Sequence, residues 1–498
     1  MRLTQLTAAL VAAGLALPVL AAPGDQAALL EKLAARLEKL EARNAQLEKE
    51  VKDLKGENQK IADGLDSPRL SQYEPELTAR LKAVEKDALE MKKAAKIAEK
   101  FDGIKVDAAL TTVAQKANGL PSGTADSNSQ LNYRADVSVE LPLEPIGDIE
   151  HKVFAHVRVG QGLGLNSALG NLGHYASAPN STAFRASGSN PDDSVAILGQ
   201  AYYQAAIPLP IGGFTPYSRE KLEVTFGKMD IFGFFDQNEA AGDESVQFLN
   251  SVFVHNPLLD AGGEVAPDAN GFQPGAIVSY LNETNKAEPW RVSLGVFGAG
   301  ELGASYQRSL NAPLVILQAE KQLKLFGGLN GNYRAYAWSR SKVDELDGIS
   351  TDRHTGFGVS IDQRIGDGIN LFGRYGQLVK GQLPFDRAVS LGAEFNGSYW
   401  GRGGDAIGIG SSWLKTSDDY RKVGGSGCAG GFDDNGNCLG GAFTFTPGGA
   451  EKVAEIYYRY RVSPNVQISP DFQWVDRPGG NGDADSVKVF AVRANIAY

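Results

Sequence analysis

The chain has 498 residues and a formal net charge of −10, and it contains 59 Gly, 22 Phe, 17 Tyr, 5 Trp and 2 Cys. This acidic balance argues against a nucleic-acid-binding protein, because such proteins normally present a basic face to phosphates. Only four glycines and one aromatic residue precede residue 101, so the chain combines at least two physically different parts. The aromatic content of the second part argues against disorder.

Residues 1–22 have the layout of a secretory signal peptide. A single early charge at Arg2 precedes an apolar run, and Ala21 and Ala22 provide small residues for cleavage. A membrane anchor is the weaker alternative, because Pro18 interrupts the run and no stop-transfer charge cluster follows. No later segment reaches roughly 18 consecutive apolar residues. If the exported chain spans a membrane, it is therefore expected to do so as a barrel.

A heptad pattern occupies residues 25–62. Its core positions alternate in spacing between three and four residues, at Leu30, Leu33, Leu37, Leu40, Asn44, Leu47, Val51, Leu54, Asn58 and Ile61. This period predicts a left-handed coiled coil in which the Asn residues fix the register. Residues 63–100 are predicted to form a hinge, with Gly64, Pro68 and Pro75, and a second helix. Oligomerisation or a periplasmic spacer is the favoured role; a solvated helix or a short hairpin is the alternative.

From residue 101 onward the apolar pattern changes to a period of two. The last strand places its apolar residues on one face, at Phe490, Val492, Ala494, Ile496 and Tyr498. A soluble sandwich would also alternate, but the export signal and the aromatic residues near strand ends favour a membrane barrel. At about 25 residues per strand and loop, residues 101–498 predict an all-β transmembrane barrel of about 16 antiparallel strands with an aqueous lumen. The α-helical coiled-coil segment precedes this barrel.

Several short motifs occur in a fixed order along the barrel region. They include Gly-Lys-Met-Asp at 227–230, Phe-Phe-Asp at 234–236, Gln-Phe-Leu-Asn at 247–250, Asp-Gln at 362–363, Leu-Phe-Gly-Arg-Tyr-Gly at 371–376, Gly-Arg at 401–402, Ser-Pro at 463–464 and Pro-Gly-Gly at 478–480. This ordered set resembles the OprB family of carbohydrate-selective porins, of the type carrying an N-terminal coiled coil. The resemblance implies a 16-stranded outer-membrane barrel that admits sugars by diffusion, and analogy with other porins favours a trimer. Plain sugar porins lack the N-terminal rod, and relatives that carry it are also associated with inorganic ion uptake.

Residues 232–272 separate two predicted strands and are unusually apolar for a loop. They contain Phe234, Phe235, Phe248 and Phe253, which are poorly suited to open solvent. We therefore predict that this loop folds into the barrel and narrows the pore; a surface lid or a protomer contact is the alternative. The polar surface of the constriction loop is assigned to Asp236, Asn238, Asp243, Glu244 and Asn250.

The alternation also predicts which side chains face the lumen. The pore-lining candidates are Arg134, Asp136, Arg158, Arg334, Arg374, Glu394, Glu455, Tyr457, Arg459, Arg461, Asp471 and Arg493. Selective pores are built from rings of fixed charge and hydrogen-bond donors, and Arg offers planar, multi-donor contacts to hydroxyl groups or anions. Tyr457 and Tyr336 are candidates for stacking on a sugar. The alternative role of each charge is to pair across the barrel wall and hold its shape.

Reactive side chains are few. Cys428 and Cys438 enclose a Gly-rich segment and are predicted to form a disulfide, because an exported chain meets an oxidising environment. The five His residues show no metal-ligand spacing, and no Ser and His pair stands out as a catalytic site. We therefore predict no enzyme activity, no metal site and no cofactor.

These patterns predict a passive porin in the outer membrane of a Gram-negative-type bacterium, with a periplasmic N-terminal coiled coil. Its expected partners are outer-membrane lipid, small carbohydrates or similar hydrophilic solutes, and further copies of the chain joined through the coiled coil. Contact with the cell wall is a further expectation, and nucleic acid is not expected. The alternative is a general or inorganic-ion porin whose coiled coil also tethers the outer membrane to the periplasm or cell wall.

Overall fold

The computed structural model describes residues 46, 49, 52–56, 86, 103–120, 128–166, 177–184, 193–210, 218–260, 271–298, 311–347, 349–428, 433, 435–439 and 445–498. The chain divides into two compact units, Met1–Asp102 and Gly103–Tyr498. The described residues of the first unit are helical and exposed. The predicted signal peptide lies outside the described residues, and so does nearly all of the predicted coiled coil and second helix. No helix within the described ranges is long and apolar enough to cross a membrane.

The described part of the second unit contains 16 strands. They are β1 (Lys105–Asn118), β2 (Ser129–Pro142), β3 (Glu150–Gln161), β4 (Val195–Pro208), β5 (Glu220–Asp230), β6 (Phe272–Asn282), β7 (Trp290–Phe297), β8 (Leu314–Leu325), β9 (Leu329–Asp344), β10 (Thr351–Ile365), β11 (Ile369–Lys380), β12 (Phe385–Asn396), β13 (Ala406–Thr416), β14 (Ala450–Ser463), β15 (Val466–Asp476) and β16 (Val487–Ala497). Each strand pairs antiparallel with its sequence neighbours, and β16 pairs with β1 to close a barrel. The predicted barrel of about 16 antiparallel strands is therefore confirmed.

Short helices lie in the connections between strands. The α-helices are α1 (Ser251–Val254), α2 (Pro257–Asp260) and α3 (Asp418–Ser426), and 3-10 turns span Ile231–Gly233, Gly397–Trp400 and Pro478–Gly480. Ser417 caps α3, because its hydroxyl accepts from the Tyr420 amide at 3.0 Å. Gly427 ends this helix in the left-handed conformation, with φ of 77°.

Alternation along the strands sends apolar side chains outward and polar side chains inward. In β16, Phe490 and Ile496 are half exposed, whereas Arg493 on the opposite face is buried. Leu131 and Val137 of β2 are likewise exposed on the outside of the wall. An exposed apolar band around a closed barrel is the surface that a lipid bilayer covers.

The two rims of the barrel differ in the length of their connections. On one rim, short turns at 326–328, 366–368 and 464–465 join neighbouring strands, whereas the long connections follow β3, β5 and β13 on the other. The C-terminal Tyr498 lies on the short-turn rim, where its main chain exchanges two hydrogen bonds with Ala108 of β1. Outer-membrane barrels place their short turns on the periplasmic side. In a barrel of that kind, the long connections lie on the side that faces away from the cell.

Glycines on the inner wall make room for aromatic rings. Tyr457 lies over Gly408, where an added Cβ would stand 2.1 Å from the ring. Tyr336 lies over Gly358, where the corresponding distance is 2.4 Å. Close approach of this kind explains why strand positions hold Gly in spite of its weak strand preference.

The hydrophobic core lies inside the barrel, against the inner wall. Phe248, from the connection between β5 and β6, packs on Phe372 and Tyr457 with ring centroids 5.3 and 5.0 Å apart. Phe235, from the same connection, packs edge-on against Phe297 of β7 at 6.0 Å. Many inward positions are therefore apolar, because a loop rather than water covers them.

Candidate functional site

The connection between β5 and β6 turns back into the barrel. We refer to its described part, residues 231–260, as the inner loop. Asp230 ends β5, and its side chain accepts a hydrogen bond from the Phe232 amide at 2.9 Å. Asn250 caps α1 in the same way, accepting from the Val252 amide at 3.3 Å. These local caps satisfy main-chain groups that would otherwise be left without partners inside the barrel.

One side of the inner loop is anchored by a buried ion pair. The carboxylate of Asp236 lies 3.1 Å from Nε of Arg374 on β11. It also accepts hydrogen bonds from the Asn256 amide at 2.7 Å and from the Tyr336 hydroxyl at 3.0 Å. Arg374 donates in addition to the main-chain oxygens of the loop at Ala241 and Asp236. A buried charge pair with this many hydrogen bonds fixes the loop in one position.

The other side of the inner loop is anchored to β14 and β16. The carboxylate of Glu455 accepts from the amides of Leu249 and Asn250 at 2.6 and 2.9 Å. Arg493 donates to the carbonyl oxygens of Glu244 and Gln247 at 2.8 and 2.6 Å. Charged groups on the wall thus satisfy main-chain groups of the loop directly.

A second loop also lies inside the barrel, which the sequence did not suggest. Residues 177–184, from the connection between β3 and β4, are joined to the inner loop by main-chain hydrogen bonds from Ser181 to Leu249 and from Ser251 to Ala178. The buried side chains of Gln115 and Gln473 both donate to the carbonyl oxygen of Pro179 at 2.9 Å. Its contacts are polar, so the sequence of this segment lacks the apolar residues that indicated the inner loop. Only the length of the connection between β3 and β4 could have suggested that it enters the barrel.

A cluster of charges lies between the inner wall and the inner loop. We call it the ionic cluster, and its members are Arg134 and Asp136 of β2, Arg158 of β3 and Glu244 of the inner loop. Asp136 accepts from Nε of Arg134 and from Nε of Arg158, both at 2.7 Å. Arg134 also donates to Glu244 at 2.7 Å. His156 of β3 lies 2.8 Å from Asp136 as well. The cluster therefore joins the wall directly to the inner loop. Arg134 is buried in this contact, whereas Asp136 and Arg158 are half-buried and keep part of their surface accessible.

The ionic cluster is balanced in charge and half-buried on its loop side. Burial alone would raise the pKa of the Glu244 carboxyl, but attraction by Arg134 and Arg158 outweighs it and holds that pKa below its usual range. Glu244 is therefore charged at neutral pH. The guanidinium of Arg158 also lies over the ring of Phe272, 5.1 Å from its centroid, which holds its plane in place.

Other predicted pore-lining residues lie behind the inner loop or within the wall. The buried members of this group are Arg334, Arg374, Glu455, Tyr457, Asp471 and Arg493. Arg334 pairs with Asp362 at 2.8 Å, and Asp471 accepts from Gln473 at 3.1 Å. The alternation gave their inward direction, but Arg334 and Asp471 pair within the wall. The inner loop contacts the other four. Their contacts are with protein atoms. This agrees with the alternative given above, in which such charges pair across the wall and hold its shape.

Two of the predicted pore-lining residues form a pair nearer the periplasmic rim. Arg459 donates to both carboxylate oxygens of Glu394, at 3.1 and 3.3 Å, and both side chains are partly exposed. Arg461 is exposed at the rim itself and donates to the carbonyl oxygen of Pro464 at 3.2 Å. It therefore lies away from the ionic cluster.

The polar residues predicted on the constriction loop fall into two groups. Asp236, Asn238 and Asn250 are buried and hold the loop to the wall, so they do not form its polar surface. Asn238, for example, donates to the carbonyl oxygen of Ile361 at 3.0 Å. Asp243 is exposed and Glu244 is half-buried. Buried polar groups are used up in hydrogen bonds to the protein. Asp243 and Glu244 are therefore the two members that can face the channel.

The long connection between β13 and β14 holds the predicted disulfide. Cys428 and Cys438 are bonded, with their Cα atoms 5.5 Å apart. This connection is on the outer rim, away from the ionic cluster. Within the described ranges, no group of three or more His, Cys, Asp or Glu side chains is arranged to hold a metal ion.

A closed barrel of 16 antiparallel strands, with a long loop bound along its inner wall and paired charges between that loop and the wall, defines a porin of the outer membrane. The sequence comparison agrees with this class. The model of the carbohydrate-selective porin family OprB matches residues 160–498, and the chain belongs to that family.

Individual relatives are more distant. Porin B of Pseudomonas aeruginosa is 24% identical over 307 residues, which cover 55% of this chain and 65% of Porin B. An uncharacterized protein of Nostoc sp., alr4550, is 37% identical over 76 residues, which cover 14% of this chain and 13% of that protein. The chain thus spans less than two thirds of either relative. The high-pH structure of Pseudomonas putida OprB superimposes with a TM-score of 0.62 at 19% identity, covering 80% of this chain and 94% of that one, which shows the shared fold.

Proposed function

We propose that this protein is a passive porin through which small carbohydrates and similar hydrophilic solutes diffuse. The observation that carries the proposal is the ionic cluster, in which donors and acceptors from the wall and from the inner loop meet inside the barrel. Asp136 and Arg158 of the wall and Glu244 of the loop are the proposed lining residues, and the buried Arg134 holds Asp136 and Glu244 in place. Hydroxyl groups of a sugar both donate and accept, so they match such a mixed set.

The balance of charge favours neutral solutes over ions. The ionic cluster combines two guanidinium groups with two carboxylates, joined by contacts of 2.7 Å. A ring of one sign would attract and select ions of the opposite sign, whereas paired charges leave little net field. The carbohydrate function is therefore preferred to the alternative of an inorganic-ion porin.

The direct test is conductance in planar bilayers. The full chain is reconstituted, and KCl conductance is recorded with and without glucose. We expect steady conductance that falls when glucose enters the channel. Strong ion selectivity without an effect of glucose would favour the ion porin, and the absence of conductance would contradict both functions. Protein-free bilayers are the control.

We further propose that residues 25–62 form a periplasmic coiled coil that joins three copies of the chain and contacts the cell wall. The heptad pattern supports this role, and β1 begins on the rim with short turns. Leu37→Asp together with Leu47→Asp should dissociate the oligomers in native gels, because two core positions acquire charge. Arg36→Asp with Lys49→Asp is the matched control outside the core. Oligomers that persist in the core variant would refute the role, and cross-linking to isolated peptidoglycan tests the cell-wall contact.

A further inference from the structure

Three aromatic rings from three separate elements meet at inward positions of the barrel. Phe154 of β3 and Tyr202 of β4 are stacked, with centroids 4.9 Å apart and planes at 25°. Phe234 of the inner loop contacts Tyr202 edge-on, at 5.6 Å and 72°. We call these three residues the aromatic shelf. A period-two pattern would have predicted polar side chains at the two wall positions, so their aromatic character needs a physical reason.

The strand register places the aromatic shelf on the lumen side. Phe154 stands opposite Glu140 on β2 and opposite Tyr202 on β4. Phe154 shares the inward face of β3 with Arg158 of the ionic cluster. On the far side of Tyr202, the paired position of β5 is Gly227, which has no side chain to cover the ring. The inward space beside Tyr202 is therefore left open by the wall.

The aromatic shelf lies at the edge of the core that holds the inner loop, because Tyr202 and Phe234 pack against the cluster that contains Phe235. Phe235 and Phe248 of that loop are completely buried in the core. All three members of the aromatic shelf are only half-buried, so part of their surface faces the channel. Apolar surface left accessible beside a water-filled path is the kind of feature that marks a binding site.

Charged groups flank the aromatic shelf along the channel. On the outer side, Arg158 is four residues along β3 from Phe154, which at about 3.3 Å per residue is roughly 13 Å. On the periplasmic side, Lys152 is the next inward residue of β3 and donates to Glu140 at 2.6 Å. A solute that lies on the rings therefore meets hydrogen-bonding groups on both sides.

This combination matches one class of solute. A pyranose has a flat face of C–H groups that packs on an aromatic ring, and an edge of hydroxyl groups that needs donors and acceptors. An acyclic polyol of the same size has the hydroxyl groups but no fixed apolar face. Ions have neither. Resting on the proposed porin function, we propose that the aromatic shelf binds the face of a pyranose sugar and makes the channel favour cyclic sugars over acyclic polyols.

The test compares glucose with sorbitol in a liposome-swelling assay on the full chain. The wild type should admit glucose faster than sorbitol at low solute concentration. Phe154→Leu keeps an apolar side chain at this position but removes the ring, and it leaves Phe234 of the inner loop unchanged. It should therefore remove this difference while KCl conductance stays at the wild-type level. Phe226→Leu is the matched control, because Phe226 is a half-exposed ring on the outer face of β5.

The outcomes separate the shelf from the porin function. A glucose preference that persists in Phe154→Leu would overturn the aromatic shelf as a binding site and leave the porin intact. A loss of preference accompanied by a rise in KCl conductance would also overturn it, since the ring would then merely hold the inner loop in place. A wild type that shows no swelling with any solute would contradict the porin function itself.

Discussion

The two halves of the barrel interior use the same strand pattern for different purposes. Along β8–β16 the inner loop covers the wall, and inward charges such as Arg374 and Glu455 are buried against loop atoms. Along β2–β4 the loops cover the wall only in part, and the inward charges of Asp136 and Arg158 pair while keeping 21% and 17% of their side-chain surface exposed. An inward charge in a barrel is therefore a structural anchor or a solute contact according to what covers it, not according to its place in the alternation.

The largest effect is expected from removing the ion pair that anchors the inner loop to the covered half of the wall. Arg374→Met leaves the buried carboxylate of Asp236 without its cation, which should cost about 3–5 kcal/mol. The inner loop should then leave the wall, so single-channel KCl conductance should rise and the unfolding temperature should fall. Arg364→Met is the matched control, because Arg364 and Glu239 form an exposed pair with side chains 56% and 41% exposed. Unchanged conductance in Arg374→Met would mean that the ion pair does not hold the loop.

A smaller effect is expected at a helix cap on the covered half. Asn250→Ala removes the cap of α1 and a hydrogen bond to Gln473 at 3.0 Å. Because these groups are buried, the loss should be about 1–3 kcal/mol, read as a lower unfolding temperature in heat-modified gel mobility. Asn396→Ala is the control, since Asn396 caps an exposed turn by accepting from Ser398 at 2.8 Å. Equal shifts in the two variants would show that burial of the cap is unimportant.

Substitutions in the ionic cluster along β2–β4 should change the selectivity of the channel and have little effect on the stability of the fold. Arg158→Gln removes one positive charge from the ionic cluster, so reversal potentials should shift toward cations and the effect of glucose on conductance should weaken. Arg421→Gln, on the outer-rim helix α3, should leave both unchanged. A stability loss as large as that of Arg374→Met would show instead that Arg158 is an anchor.

The smallest effect concerns a periplasmic turn outside both halves. The Arg402 guanidinium lowers the pKa of the Asp405 carboxyl from 3.8 to about 2. Because the pKa is lower in the folded chain, Asp405 stabilises the fold above pH of about 4, and this contribution is lost as the pH falls toward 2. In Asp405→Asn, the unfolding temperature should depend less on pH across that interval than it does in the wild type. A slope that persists in the variant would assign the pH dependence to other carboxylates.

The sequence predicts the wall of this barrel better than its contents. Period-two alternation identified strands such as β16, and the apolar character of residues 232–272 indicated a loop that leaves solvent. The second loop, at 177–184, was missed because amide side chains such as Gln473 hold it, and polar segments resemble ordinary surface loops. The alternation also gave the inward direction of Arg493 without showing that a loop covers it. Whether a loop covers a wall residue depends on tertiary packing, which a local sequence pattern does not encode. The coiled coil stays a prediction.

The contacts of Arg493 have a consequence for the order of assembly. This residue belongs to the last strand, and it binds the carbonyl oxygen of Gln247, 246 positions earlier in the chain. Contacts over such long separations form late, because the ends of a long segment must first be brought together. The side of the inner loop that Arg493 holds can therefore reach its final position only after the last strand is in place. A barrel that lacks β16 keeps this side of its constriction unanchored.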